Sequence, residues 1–108
     1  FIIELKAEIE LSNNDGKRPL HEAAQFSREG CVRVLLEHGV QIDSLKRADW
    51  TPLMLACTKQ SINIVSMLLK AGANPCLKNK DGWNSFHIAS REGNLSVIET
   101  LFDHCQNV

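Results

Sequence analysis

The sequence predicts an all-α solenoid, a stack of short helix pairs, on three observations. First, the stretches Lys17-Arg18-Pro19-Leu20-His21-Glu22-Ala23-Ala24, Trp50-Thr51-Pro52-Leu53-Met54-Leu55-Ala56-Cys57 and Trp83-Asn84-Ser85-Phe86-His87-Ile88-Ala89-Ser90 repeat one pattern at a spacing of 33 residues. Second, the register holds without a slip, as Pro19, Pro52 and Ser85, then Leu20, Leu53 and Phe86, then Ala23, Ala56 and Ala89. Third, each copy is followed by apolar residues at helical spacing. A fixed period of this size marks a stacked array, whose units cannot bury their apolar faces alone.

With Asp15, Ala48 and Asp81 as the first position, residues 15–47 and 48–80 are full repeats and 81–108 an incomplete one. Residues 1–14 read as the tail of a truncated repeat, so 1–108 is one array fragment. In that tail Phe1-Ile2-Ile3-Glu4-Leu5 aligns with the end of a second helix, and Ala7-Glu8-Ile9-Glu10 with the segment after it. Within each repeat Pro19 or Pro52 opens a first helix, at the position where a missing N–H costs nothing. Thr51 precedes it as an N-cap. The helix carries small pairs, Ala23-Ala24, Ala56-Cys57 and Ala89-Ser90, that let neighbouring helices approach.

A polar turn follows at Ser27-Arg28-Glu29, Gln60-Ser61 and Gly93-Asn94. The second helices then show Val32, Leu35 and Leu36; Ile64, Val65, Leu68 and Leu69; and Val97, Ile98, Leu101 and Phe102 as the buried stripe. Gly39 and Gly72 end the first two, where a left-handed residue is wanted, and Cys105 stands there in the third. Polar extended segments, 40–47 and 73–80, lead into the next repeat. Helices this short are marginal alone and must be held by neighbours.

Composition narrows function mainly by exclusion. The chain has 108 residues, 12 basic and 13 acidic side chains, so net charge points to no partner. No apolar run reaches the roughly 20 residues a membrane helix needs. Four cysteines, Cys31, Cys57, Cys76 and Cys105, form no Cys-x-x-Cys or Cys/His cluster, so no metal site is expected. They read as free thiols in a reducing compartment, with the cytoplasm first and the nucleus second. No nucleophile–base pair, carboxylate dyad or phosphate loop is present, so no catalytic residue or cofactor is expected.

The quoted residues resemble the ankyrin repeat. Its pattern Asp-Gly-x-Thr-Pro-Leu-His-x-Ala-Ala stands here as Asp15-Gly16-Lys17-Arg18-Pro19-Leu20-His21-Glu22-Ala23-Ala24, and its later Gly-Ala-x as Gly72-Ala73-Asn74. The resemblance implies paired antiparallel helices with short β-hairpin fingers at right angles to them, and a binding role toward another protein. Arg18 in place of the capping Thr, Asn84-Ser85 in place of Thr-Pro, Met54 in place of His and Gly30 early in a second helix depart from the pattern. The segments Lys17 to Ala24, Ala48 to Met54 and Leu77 to Gly93, the last with Trp-Asn-Ser-Phe, resemble more narrowly one family member associated with alanyl-tRNA synthetase and its proofreading against serine.

By family analogy the fingers and first helices line a concave face. The candidate partner-binding residues there are Lys17, Phe26, Arg47, Trp50, Lys59, Lys78, Lys80, Trp83 and Arg91, with Asn14, Gln25, Thr58 and Glu92 beside them. The face is basic and aromatic, and exposed Trp and Arg dominate binding hot spots. The plainer reading has each Trp packing on its own finger and each lysine merely solvated. An acidic protein surface is the favoured partner, and RNA or another polyanion the alternative. The narrower resemblance adds Lys46, Lys78 and Lys80 as candidate acceptors of a misactivated aminoacyl group. An ordinary lysine at pH 7 is almost fully protonated, so an acceptor needs a pKa-lowering neighbour that the sequence does not display. His21 and His87, at one repeat position, are expected to be buried and bonded to loop backbone. His38 and His104 fall near helix ends, where a charged imidazole suits the dipole. Acids gather at Glu4, Glu8 and Glu10 and on the outer helices at Glu37, Glu99 and Asp103.

Overall fold

The computed structural model describes residues 8–106, and the readings placed on Phe1 to Ala7 lie outside them. Six helices stand in three antiparallel pairs: α1 (Pro19–Gln25) with α2 (Glu29–Glu37), α3 (Pro52–Thr58) with α4 (Ile62–Lys70), and α5 (Ser85–Glu92) with α6 (Leu95–Gln106). First helices pack in one layer, α1 on α3 and α3 on α5; second helices form the other, α2 on α4 and α4 on α6. Each pair touches only its neighbours, the arrangement of a solenoid.

The local sequence accounts for the helix ends. Pro19 and Pro52 open their helices, and Thr51 accepts a bond from the Met54 N–H at 3.2 Å. Asn84 does the same work without the family's Thr-Pro. Its Oδ1 accepts from His87 N–H (3.0 Å), while His87 Nδ1 accepts from Asn84 N–H (3.1 Å). Arg18 provides no side-chain cap, but its own N–H is taken by His21 Nδ1 at 3.0 Å. Gly39 and Gly72 follow α2 and α4 with φ of 74° and 105°, whereas α6, with Cys105 in that place, runs on to Gln106.

The core is the sum of the small and apolar columns: Leu20, Ala23 and Ala24; Leu53 to Cys57; Ile88 and Ala89; and Val32, Ile64, Val65, Leu68, Leu69, Val97 and Leu101 from the second helices. The middle repeat is the most deeply enclosed, because it has a neighbour on each side. Phe102, expected in the buried stripe, is instead 52 % exposed and lies against Phe86, ring centroids 5.2 Å apart. No described helix pair lies beyond α6 to cover it.

The fingers are tighter than β-hairpins with strands. Each is closed by two backbone bonds: Asn13 N–H to Lys17 O (3.0 Å) with Gly16 N–H to Asn13 O (2.9 Å), Lys46 N–H to Trp50 O (3.0 Å) with Asp49 N–H to Lys46 O (2.9 Å), and Asn79 N–H to Trp83 O (2.9 Å) with Gly82 N–H to Asn79 O (3.0 Å). Only Lys46 and Trp50 form a β-bridge among the described residues. Adjacent fingers are laced together by Arg47 N–H to Asp15 O (2.6 Å) and Lys80 N–H to Ala48 O (3.0 Å). A second lacing uses carboxylates in equivalent positions. Glu10 accepts from Gln41 N–H at 2.8 Å, and Asp43 from Asn74 N–H at 3.2 and 3.3 Å. Glu10, one of the acids gathered near the N-terminal end, thus has a structural job, and it also meets Arg18 at 3.3 Å.

Candidate functional site: the finger and first-helix face

His21 shows how a finger is fixed to the helix beside it. It is fully buried, its Nδ1 accepts from Arg18, and its Nε2–H points at the carbonyls of Ser44 (2.8 Å) and Trp50 (3.2 Å). Burial lowers its pKa below the ordinary imidazole value, against the pull of those two carbonyls. His87, expected to repeat this role, is exposed and lies 5.9 Å from the Trp83 ring. The reason is positional: His21 is covered by backbone 23 and 29 residues further along the chain, and the equivalent of either residue for His87 falls beyond residue 108. His38, at the end of α2, donates to Val34 O at 2.9 Å.

Each repeat brings one aromatic ring and one cation together between the finger base and the end of the first helix. In the first, Lys17 Nζ lies 5.1 Å from the Phe26 ring centroid and 2.8 Å from Glu22. In the second the two types are exchanged, with Trp50 at the finger base and Lys59 at the helix end, and both line one concavity. In the third, the Arg91 guanidinium stacks 4.8 Å from the Trp83 ring and reaches Glu92 at 3.7 Å. Both tryptophans are half-buried, packed in part against the core and open on the rest of the ring.

The candidate cations divide by partner. Lys17, Arg47 and Arg91 are paired, Arg47 with Asp15 at 2.7 Å. Lys80 occupies the position of Arg47 one repeat later, but the residue opposite it is Ala48 where Arg47 has Asp15. Lys46, Lys59, Lys78 and Lys80 have no ion-pair partner among the described residues. Lys59, Lys78 and Lys80 are exposed and Lys46 is half-buried.

The middle finger departs from the other two. Asn13 Oδ1 accepts from the N–H groups of Asp15 (2.9 Å) and Lys17 (3.0 Å), and Asn79 Oδ1 from those of Asp81 (3.0 Å) and Trp83 (3.1 Å). Such side-chain bonds hold a turn in place of backbone ones. Lys46 stands at this position in the middle finger and cannot accept. There the turn runs through two consecutive left-handed residues, Ala48 (φ 66°) and Asp49 (φ 64°), where the others use a single glycine, Gly16 or Gly82. Left-handed geometry at a residue with a Cβ costs on the order of 1 kcal/mol.

Three hollows bear on the reading. One, of about 240 Å³, is lined by Gln25, Lys46, Trp50, Leu55, Thr58 and Lys59. A shallower one of about 450 Å³ surrounds Trp83, with Phe86, His87, Ser90 and Arg91. The widest of the three, about 810 Å³, is an apolar groove at the N-terminal end, between Pro19 and Ala23 of α1, Phe26 just after it, and Cys31, Val34 and Leu35 of α2. The same side of α3 is covered by α1, so this groove is stacking surface, and Phe26 belongs to it as much as to the concave face. Leu55 and Ser90 stand in the sequence only as parts of the repeat pattern, although both line these hollows from the first helices.

No group of three or more His, Cys, Asp or Glu able to hold a metal occurs among the described residues. Cys31, Cys76 and Cys105 are exposed and unpaired; Cys57 is buried, and burial pushes its thiol up to about 12, with a bond to Ser85 opposing. None of the described helices is long and apolar enough to cross a membrane.

Known proteins carry the same pattern. A family model described as ankyrin repeats (3 copies) matches residues 1–79 and 45–108. The human ankyrin repeat and SOCS box protein 11 is 35 % identical over 92 residues, covering 83 % of this chain and 28 % of that protein. The mouse B-cell lymphoma 3 protein homolog is 34 % identical over 95 residues, covering 87 % of this chain and 21 % of its own length. The human transient receptor potential cation channel subfamily A member 1 is 32 % identical over 102 residues, 94 % of this chain and 9 % of the channel subunit. The chain therefore spans less than a third of each of these relatives, which share the repeat and differ in what surrounds it. With three copies in one register and the helix–finger architecture built on them, the chain belongs to the ankyrin repeat family.

Proposed function

We propose that this chain is a non-catalytic protein–protein interaction module that binds through its concave face. One observation carries the proposal: Trp50 and Trp83 occupy one column of the stack, each half-open and each beside a cation. Trp and Arg in such settings supply most of the energy at protein interfaces. The cations without partners beside them favour an acidic protein surface. The residues placed at the contact are Lys17, Phe26, Arg47, Trp50, Lys59, Lys78, Lys80, Trp83 and Arg91.

A narrower reading names the partner. The Leu77–Gly93 segment, with Trp83-Asn84-Ser85-Phe86, resembles ankyrin repeat domain-containing protein 16, and on that resemblance the partner is alanyl-tRNA synthetase, in proofreading against serine, in the cytoplasm and secondarily the nucleus. Lys46, Lys78 and Lys80 are then the candidate acceptors, each amine attacking the acyl carbon of seryl-adenylate after losing a proton, with AMP leaving.

The test is binding of the purified synthetase to the immobilised chain, beside Trp50→Ala and Trp83→Ala. Each variant is expected to lose about 1 kcal/mol or more of affinity. Unchanged affinity in both folded variants refutes the face. No binding by the parent chain refutes the named partner. The same mixture with serine and ATP, analysed for seryl-lysine by mass spectrometry, checks the acceptors, and unmodified lysines end that part. RNA, the alternative ligand of the basic face, is distinguished by an affinity that falls linearly on a log–log plot against salt.

A further inference from the structure

We propose that the hollow at Trp50 is a carboxylate-binding subsite in which Lys46 and Lys59 clasp an Asp or Glu side chain of the partner protein. The inference rests on the reading that this face binds protein, and it names the chemistry that the middle repeat selects.

Three observations lead to it. The hollow, about 240 Å³, is lined by Lys46, Lys59, Gln25 and Thr58 together with Trp50 and Leu55, so two cationic and two neutral polar side chains meet two apolar ones there. No carboxylate lines it, and neither lysine has an ion-pair partner among the described residues. Elsewhere on the face Lys17, Arg47 and Arg91 are neutralised by Glu22, Asp15 and Glu92, so uncompensated charge is gathered around the middle and last fingers. Thr58 spends its O–H on Met54 O at 3.1 Å, which leaves the two lysines and Gln25 as the donors available to a ligand.

The second observation is what Lys46 displaces. In the other two fingers this position is Asn13 or Asn79, and each holds its turn with two bonds to backbone N–H groups. Lys46 gives up both, and the turn settles into consecutive left-handed residues at Ala48 and Asp49. A local rule broken at one of three equivalent places, with a cation delivered to a hollow in return, is the pattern expected of a functional position.

The third observation is the kind of cation. Phosphate recognition in peptides draws on arginine clusters, whose planar forks bind the anion by two parallel bonds. No arginine lines this hollow, and Trp50 and Leu55 give it apolar surface beside the two lysines. That fits one carboxylate on a short aliphatic stem.

Trp50 and Trp83 are the only tryptophans and there is no tyrosine, so Trp83→Phe leaves the subsite as the sole indole reporter. The experiment titrates acetylated, amidated hexaglutamate onto Trp83→Phe and follows emission, with hexaglutamine and hexauridylate as controls at about 0.15 M salt. The expected result is saturable binding of hexaglutamate alone. Lys46→Asn and Lys59→Gln should each weaken it about tenfold or more, while Arg33→Gln and Lys70→Gln, exposed on the second helices away from this face, change it less than about twofold. Lys46→Asn should also unfold at higher urea than its parent, since it restores the turn of the other repeats. Four variants with equal effects would reduce the hollow to diffuse attraction and overturn the proposal. So would hexauridylate binding more tightly than hexaglutamate. If hexaglutamate fails while Trp50→Ala still impairs partner binding, this proposal falls and the interaction face stands.

Discussion

Replacing His21 by Asn separates the anchoring of a finger from every other contribution to the stack. The shorter side chain keeps an acceptor for the Arg18 N–H, now met by Nδ1 at 3.0 Å, but cannot reach the Ser44 and Trp50 carbonyls. The Ser44 carbonyl then lies beside a buried position without its donor. An orphaned buried group costs about 1–3 kcal/mol, and the volume lost adds to it, so the variant should lose roughly 2–3 kcal/mol. His87→Asn is the internal control, because the same repeat position is exposed there, and it should change stability by less than about 0.5 kcal/mol. Urea unfolding of both variants at pH 7 measures the difference. A pH series adds a second signature. The folded pKa of His21 is lowered, chiefly by burial, so the native state binds fewer protons than the unfolded chain. Its contribution is therefore present above the unfolded value of about 6.5 and is lost as pH falls below it, by at most about 1.2 kcal/mol between pH 7 and 5.5. His21→Asn should lack that part of the pH dependence. Equal costs for the two histidine variants, or an unchanged pH profile, would refute the assignment of His21 as the anchor.

Two further predictions concern stability. Asp43 accepts from Asn74 yet has its pKa raised by burial, so its charged form is disfavoured in the fold. Its term favours folding below the ordinary carboxylate range and is lost as pH rises through the raised value. Asp43→Asn, which keeps an acceptor, should gain up to about 0.5 kcal/mol at pH 7 and nothing near pH 3, by urea unfolding at the two pH values. Gly30 lies in the first turn of α2 with nothing within 4 Å of where a Cβ would stand. Gly30→Ala should therefore raise stability by about 0.5–1 kcal/mol, seen as a higher thermal midpoint.

Much of the architecture was legible because the physics is local and repeated. Pro19, Pro52, Thr51, Gly39 and Gly72 act at their own helix ends, and the apolar spacing of Ile64, Val65, Leu68 and Leu69 is enough to turn them inward. Where a role depends on a neighbouring repeat, column-by-column reading failed. His21 and His87 look identical in the sequence, and only the presence of a covering finger separates them. Phe102 matches Leu36 and Leu69 in register, but among the described residues no following pair covers it. The ion pairing of the face was readable in principle along the diagonal between repeats: Asp15 meets Arg47, and the same step sets Ala48 against Lys80. Lys46 was noticed only as a finger lysine, because its meaning comes from Asn13 and Asn79, which a search for chemistry passes over. The hollow at Trp50 needed the structure, since Gln25 comes from one helix and Thr58 and Lys59 from the next.

The lacing of the fingers has a consequence for how the stack responds to load. Along that edge, adjacent repeats are joined by directional bonds, Asp15 to Arg47, Ala48 to Lys80, Glu10 to Gln41 and Asp43 to Asn74. Away from the fingers, the second helices pack through Val32, Ile64, Val65, Leu68, Val97 and Leu101, and the bonds between repeats, Ser27 to Ser61, Asn94 to Gln60 and Gln60 to Glu92, lie at the turns that start those helices. Such a strip is pinned along its fingers and at the turns, so bending falls mainly on the apolar packing between the second helices while the finger edge keeps its length. The spacing between Trp50 and Trp83 is then held nearly constant as the molecule bends. A partner would meet a ruler of fixed gradation mounted on a flexible spine.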